Sequence, residues 1–408
     1  MARITVVVPT YWTWENGTPL QSDDIVYDHP TPLDQPGTLA RLLESLSAIS
    51  HPEFNVVVIT TATNPQLEAQ AEAKVEEIIA PFRDAFPIAQ FASSDLSVLH
   101  RRIERLGFRK MASLISLRGY GNVRNIQLIV PHLLGSEVIV ALDDDEVVEP
   151  DYLMTATEFI GAPAPDGSGP ILGLAGYYLD EDGNKFSEVT SAPDEPNLFR
   201  RKDALMNAGL ELLEAKPGRV VPSVMAFGGN MVFTRPLWAR VSFDPWITRG
   251  EDMDYLINAR FQGIGWWLDK EATIVHLPPG KKHGAHSAPS YSRLEQDVRR
   301  FIYETEKIEA AKREPGFYWF DPAELDPYPG AFLHGDVATH ALDALSQSWP
   351  PDELCLFPSP SNLVADAVYY ARESAPRYFA FAREWPRLMA ALADDRILQD
   401  HFRRKLGC

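Results

Sequence analysis

Glu137-Val138-Ile139-Val140-Ala141-Leu142-Asp143-Asp144-Asp145-Glu146 runs from an unbroken apolar stretch straight into four adjacent acids. The apolar part does not alternate, which fits a strand buried on both faces, as in a parallel sheet. Neighbouring carboxylates repel, so a compact site that contains them needs a cation or solvent to offset the charge. A hard divalent ion with oxygen ligands meets that need, and alternate carboxylates in an Asp-x-Asp pattern project toward one ion. The plainer reading, a solvated turn that caps the next helix, is disfavoured by the position directly after a buried strand.

Upstream, Ile4-Thr5-Val6-Val7-Val8-Pro9-Thr10 reads as another doubly buried strand, and Asn55–Thr60 as a second. Leu39, Leu42, Leu43, Leu46 and Ile49 recur at helical spacing, as do Leu67, Ala71, Val75, Ile78 and Ile79 after Pro65. A weaker strand at 87–91 and helices at 96–106 and 122–134 complete a βα alternation. That pattern predicts a doubly wound, mostly parallel α/β sheet with ligands outside the C-terminal ends of its strands. Downstream, the pattern predicts a helix at 151–160, a strand at 171–178, a hairpin turn at Asp182-Gly183 and a loop-rich stretch over 190–222. A strand at 230–234, a helix at 251–262 and a strand at 272–277 follow. From 288 the character is helical, with stripes on Leu294, Val298, Phe301, Ile302 and Ile308 and later over 361–372 and 376–405. The division expected is 1–285 and 286–408, and the Pro-rich insert at 14–37 has no assignment.

The 408 residues include 38 basic and 57 acidic side chains, a formal charge of −19, which excludes a general polyanion or nucleic-acid binder. A phosphate-bearing ligand must be held locally instead. Two cysteines, Cys355 and Cys408, make no disulfide framework and fit a reducing, cytoplasmic setting. No stretch reaches the roughly 20 apolar residues that span a bilayer.

Three further motifs carry chemistry. In Arg118-Gly119-Tyr120-Gly121-Asn122-Val123-Arg124-Asn125, glycines and free N–H groups at a helix start favour an anion, and Arg124 adds a charge-assisted bond. An ordinary strand-to-helix turn is an equal reading of it. Gly228-Gly229 precedes a strand, and Glu251-Asp252 opens a helix, where Asp252 or Glu251 can act as a general base or merely cap. His276 ends a strand, with His283 and His286 close behind, and is a candidate ligand beside the Asp-x-Asp.

Taken in order, Val-Val-Val-Pro-Thr, Gly-Tyr-Gly-Asn-Val-Arg-Asn, Leu-Asp-Asp-Asp, Gly-Gly-Asn and Gly-Glu-Asp resemble a GT-A fold glycosyltransferase, most similar to the family-2-like nucleotide-sugar transferases. The resemblance covers roughly residues 3–280. It implies a Rossmann-like GT-A domain and a metal-dependent transfer of a hexosyl group from a UDP- or GDP-sugar to an acceptor hydroxyl. By the same resemblance Pro9, Thr10, Arg124, Asn125, Asp143 and Asp144 contact the donor, and Gly228 and Gly229 line the acceptor cleft. Asp145 and His276 would hold Mn²⁺ or Mg²⁺, and Asp252 would be the base of an inverting displacement. Thr60-Thr61-Ala62-Thr63 stands where the family often has an acid that contacts the nucleobase. The C-terminal helices permit a homo-oligomer without requiring one.

Four rivals stand beside this. Retaining GT-A transferases share the Asp-x-Asp, and some act on glycerate or phosphoglycerate. Asp143-x-Asp145-x-Val147 also satisfies the nucleophile motif of haloacid-dehalogenase-like phosphatases, in which Asp143 would attack phosphorus, although such a strand usually comes early in its domain. Sugar-1-phosphate nucleotidyltransferases lack a counterpart here to their Gly-rich basic signature. A non-catalytic sugar or nucleotide binder is the last.

Overall fold

The strands are β1 (Ile4–Thr13), β2 (Thr31–Pro32), β3 (Phe54–Ala62), β4 (Ile88–Phe91) and β5 (Val138–Ala141), then β6 (Glu146–Val147), β7 (Gly173–Leu179), β8 (Val220–Pro222), β9 (Met231–Thr234) and β10 (Trp267–His276). They form one sheet ordered β4-β3-β1-β5-β9-β7-β10-β6, with β2 beside β1 and β8 beside β10. β4, β3, β1 and β5 are mutually parallel, β9 is antiparallel between β5 and β7, and β10 is parallel to β7. The computed structural model describes residues 3–407 apart from 20, 22, 190, 193, 280–290 and 349–357. Cys355, Cys408, His283 and His286 lie outside the described residues.

The lack of alternation in β1 has a direct cause. Val6 and Val8 pack with Leu39, Leu42 and Leu43 on one face, while Val7 packs with Val57 and Ile126 on the other. Both faces are dry, which favours the unbroken Val6–Val8 run, and the buried hydroxyls of Thr5 and Thr10 are satisfied by Ser136 and Asp144. The architecture expected from the sequence, a mostly parallel sheet flanked by helices with a C-terminal helical region, is the one observed.

Several boundaries differ. The turn near Asp182-Gly183 closes through Asn184 O accepting Asp180 N–H at 2.8 Å, but among the described residues no second strand pairs back to make the hairpin. Within the stretch expected to be loop-rich, Lys202–Ala215 is a helix that buries only Leu205, Gly209, Leu210 and Leu213, too thin a stripe to stand out. The two C-terminal stripes belong to one helix, Pro360–Ala393, which runs through Pro376 and Pro386, followed by Arg396–Lys405. Burial of Ala375, Tyr378, Phe379 and Trp385 holds it together across the prolines.

The junction near 285 falls outside the described residues, and among the described residues the buried apolar side chains of the helices beyond it join the same cluster as one face of the sheet. One cluster joins Ile139 and Phe233 of the sheet to Phe301, Phe379 and Leu406. The insert at 14–37 contributes β2 and packs Tyr27 against Tyr11 and Tyr120, ring centroids 4.4 and 5.0 Å away. Among the described residues no helix is long and apolar enough to cross a membrane.

Candidate functional site

A cleft of about 1240 Å³ opens at the C-terminal ends of β1 and β5 and is lined by Asp143, Asp144, Asp145, Arg124, Glu251, Asp252, Gly228 and His276. The register that pairs His276 with Glu146 across the antiparallel β10 and β6 brings the histidine to the acidic turn. His276 Nε2 lies 3.2 Å from Asp145 Oδ2. Leu277 N–H donates to Asp145 O at 2.8 Å, and Arg41 Nη2 donates to the carbonyls of Asp145 and Leu277 at 3.2 and 2.6 Å, so one guanidinium fixes both segments.

The surroundings act differently on the three aspartates. Burial, then the charges of Asp145 and Asp143, push Asp144 up to about 8, and its Oδ2 accepts the Thr10 hydroxyl at 2.5 Å. Burial also raises Asp143, against the pull of Arg124. Burial works the same way on Asp145, but the hydrogen bond and charge of His276, with His29, hold it below the usual carboxylate range. Asp145 is thus the carboxylate kept ionised, and His276 its partner. Glu146, fully buried, is raised well above normal by burial and by Asp143 and Asp145; its Oε2 accepts Asp143 N–H at 2.9 Å.

Gly119, with φ 86°, caps the helix Tyr120–Leu134, and a Cβ at Gly121 would meet Asp244 O at 2.1 Å, so only glycine allows that approach. The helix delivers Arg124, whose Nη2 donates to Asp143 at 2.8 Å, Nε to Glu251 at 3.1 Å and Nη1 to Gln127 at 3.1 Å. Its guanidinium is therefore already shared by two carboxylates. Burial, opposed by Arg124 and aided by Asp252, pushes Glu251 up to about 7.

Three residues expected to contact the donor, Pro9, Thr10 and Asn125, are absent from the cleft wall. Asn125 has no exposed surface and is absent from the cleft wall, because both ends of its amide bind the Phe243 main chain at 3.0 and 3.1 Å. Pro9 is buried within β1. Gly228 lines the cleft, and its N–H donates to Asp252 Oδ2 at 3.1 Å, while Met253 N–H donates to Asp252 Oδ1 at 2.8 Å. Gly229 lies beneath the wall: its N–H donates to the Tyr178 hydroxyl, and a Cβ there would meet Glu146 Oε1 at 1.9 Å.

Sequence reasoning missed Arg41, Tyr178, Asp28, Lys202, Arg300 and Tyr328, all on the wall. None sits in a recognisable motif. Tyr178 stacks obliquely on His276, centroids 5.2 Å apart, and Asp28 accepts Arg249 Nη2 at 2.9 Å, which ties the insert to the loop before Asp252.

For a divalent ion, Asp145 and His276 are a contacting oxygen and nitrogen pair open to the cleft. Among the described residues no three His, Cys, Asp or Glu side chains gather into a metal-holding group. The pair fits an ion that keeps several positions for water and substrate phosphate, as Mg²⁺ and Mn²⁺ sites do.

No protein-family model and no curated protein matches the chain. Among solved structures it is similar to the mannosyltransferase PcManGT from Pyrobaculum calidifontis in complex with GDP-Man and Mn²⁺, at 13% identity over 98% of this chain and 86% of that one, TM-score 0.45. A mycobacterial protein matches at 15% identity over 73% and 74% of the two chains, TM-score 0.33. GalNAc-T7 with UDP, GalNAc and Mn²⁺ matches at 13% identity, and the alignment spans 88% of this chain but 58% of that one, TM-score 0.38.

Proposed function

We propose that the chain is a GT-A glycosyltransferase that moves a hexosyl group from a UDP- or GDP-sugar to an acceptor hydroxyl, with Mn²⁺ or Mg²⁺ held by Asp145 and His276. The observation that carries this is the contact between ionised Asp145 and His276 in a cleft that also contains Asp252. Bound there, the ion supplies Lewis-acid stabilisation of the negative charge that develops on the leaving diphosphate.

The protein's own residues do the rest. Burial and the neighbouring charges of Asp145 and Asp143 favour the protonated form of Asp144, while the Thr10 hydroxyl, which pulls the other way, fixes its position. Arg124 balances Asp143 and Glu251 and sets their positions. Asp252, half-buried on the wall and oriented by two backbone N–H groups, accepts the acceptor's proton as its oxygen attacks the anomeric carbon. Single displacement inverts that centre; the anomeric configuration of the product, read by NMR, separates this from the retaining alternative. The phosphatase reading is disfavoured because Arg124 occupies the carboxylate of Asp143 that would have to attack.

The test is Asp252→Asn. Transfer from UDP- and GDP-sugars should fall about 10²–10⁴-fold with donor affinity retained, the usual loss for a general base. Unchanged turnover at saturating donor would contradict the assignment.

A further inference from the structure

The cleft has a second charged wall that the donor reading leaves unused. It comes from the helix Tyr291–Ala311, on which Arg293, Asp297, Arg300, Glu304 and Lys307 recur every three or four residues along one face. Arg300 is 4% exposed and lines the cleft. Its Nε donates to Glu304 Oε1 at 3.2 Å and Nη1 to the Tyr328 hydroxyl at 3.4 Å, whereas Nη2, although buried, has no acceptor among the described residues. Arg249, in the loop before Asp252, is in the same condition: Nη2 donates to Asp28 at 2.9 Å and the buried Nη1 has no acceptor.

Gly250 stands between them. A Cβ at Gly250 would lie 2.1 Å from Arg300 Cζ, so this guanidinium packs against the backbone immediately before Glu251-Asp252. An unmade bond at a buried donor costs about 1–3 kcal/mol, and two such donors flanking one glycine on one cleft wall are a fork for an anion. Asp297 Oδ1 and Glu304 Oε2 are unpartnered too, so carboxylates border the fork and dilute any broad positive field. Selection here is by hydrogen-bond geometry, for one small planar or tetrahedral anion.

We propose that Arg300 and Arg249 form an anion subsite beside Asp252 that receives a carboxylate or phosphate of the acceptor, making the acceptor a hydroxy acid or a phosphorylated alcohol. This rests on the transferase reading.

The test titrates the full chain with inorganic phosphate, without metal or nucleotide, and separately with UDP and GDP in Mn²⁺, by calorimetry. Arg300→Gln and Arg249→Gln should each weaken phosphate binding about tenfold or more, the loss of one charge-assisted bond, and leave Mn²⁺-nucleotide affinity within about twofold. Among the described residues Arg249 hydrogen-bonds Asp28 and also feels the charge of Asp297, a smaller network than that of Arg300, so its variant keeps the test valid if Arg300→Gln fails to fold. In turnover assays glycerate and glycerol phosphate should be glycosylated in preference to glycerol, and the preference should vanish in the Arg249 variant. Phosphate binding unchanged in both variants overturns the subsite. A parallel loss of nucleotide affinity overturns it as an acceptor site and assigns the guanidinium groups to the donor. Absence of any Mn²⁺-nucleotide binding in the unmodified chain defeats the transferase reading and the acceptor assignment with it, while arginine-dependent phosphate binding would still support the fork itself.

Discussion

Glu251 couples the site to pH. Burial lifts its carboxyl to about 7 in the folded chain, against an ordinary value near 4.5. The folded state therefore holds this proton more tightly than the unfolded one. The associated stability is complete below about pH 4.5 and is lost as pH rises through about 7. Glu251→Gln mimics the protonated form, so the two proteins should melt alike near pH 5, and the glutamine variant should be more stable at pH 8 by on the order of 1–3 kcal/mol. Parallel melting curves from pH 5 to 8 would show that Arg124 already keeps the carboxylate charged. At this scale the sequence was informative where chemistry is contiguous: Asp143-Asp144-Asp145, Glu251-Asp252 and His276 all reach one cleft. It was silent on Arg41, Tyr178 and Arg300, which single positions in unremarkable segments bring in through the fold. It also could not tell that Arg124 is spent on Asp143 and Glu251, since a free and a paired arginine read alike.

Among the elements, the helix Tyr291–Ala311 braces the helix that carries Asp252. Its Lys307, with no exposed surface, donates to Asp244 at 2.9 Å, to Asn258 at 3.0 Å and to Asp254. Asp254 and Asn258 belong to Glu251–Phe261, the helix that carries Asp252. Lys307→Met leaves two buried carboxylates with no lysine and should cost about 3–5 kcal/mol, measured by urea denaturation, as when one partner of a buried ion pair is removed. A much smaller loss would mean that one of the aspartates is protonated. The stripe of Val298, Phe301 and Ile302 announced this helix, but nothing in its spacing revealed that its charged face turns inward. β10 illustrates the opposite difficulty: Asp269, Lys270 and Glu271 interrupt its apolar run, so the sequence shows only its last part.

For the molecule as a whole, the parallel half of the sheet was legible because both faces are buried, which forces continuous apolar runs. The antiparallel insertion of β9 between β5 and β7 was not, since strand order depends on long-range pairing that no local pattern encodes. Because the sheet and C-terminal helices share one hydrophobic cluster, calorimetry of the full chain should give a single unfolding transition, and a chain ending at residue 279 should not fold. Two resolved transitions would mean independent domains. The proposed transfer depends on a cation held at the tip of β5. Calorimetric titration of UDP and GDP with and without Mn²⁺, on the unmodified chain and on Asp145→Ala, tests that directly. The expected result is nucleotide binding that requires Mn²⁺ and is lost in the alanine variant; equal binding in chelator, or an unaltered affinity in Asp145→Ala, would contradict it.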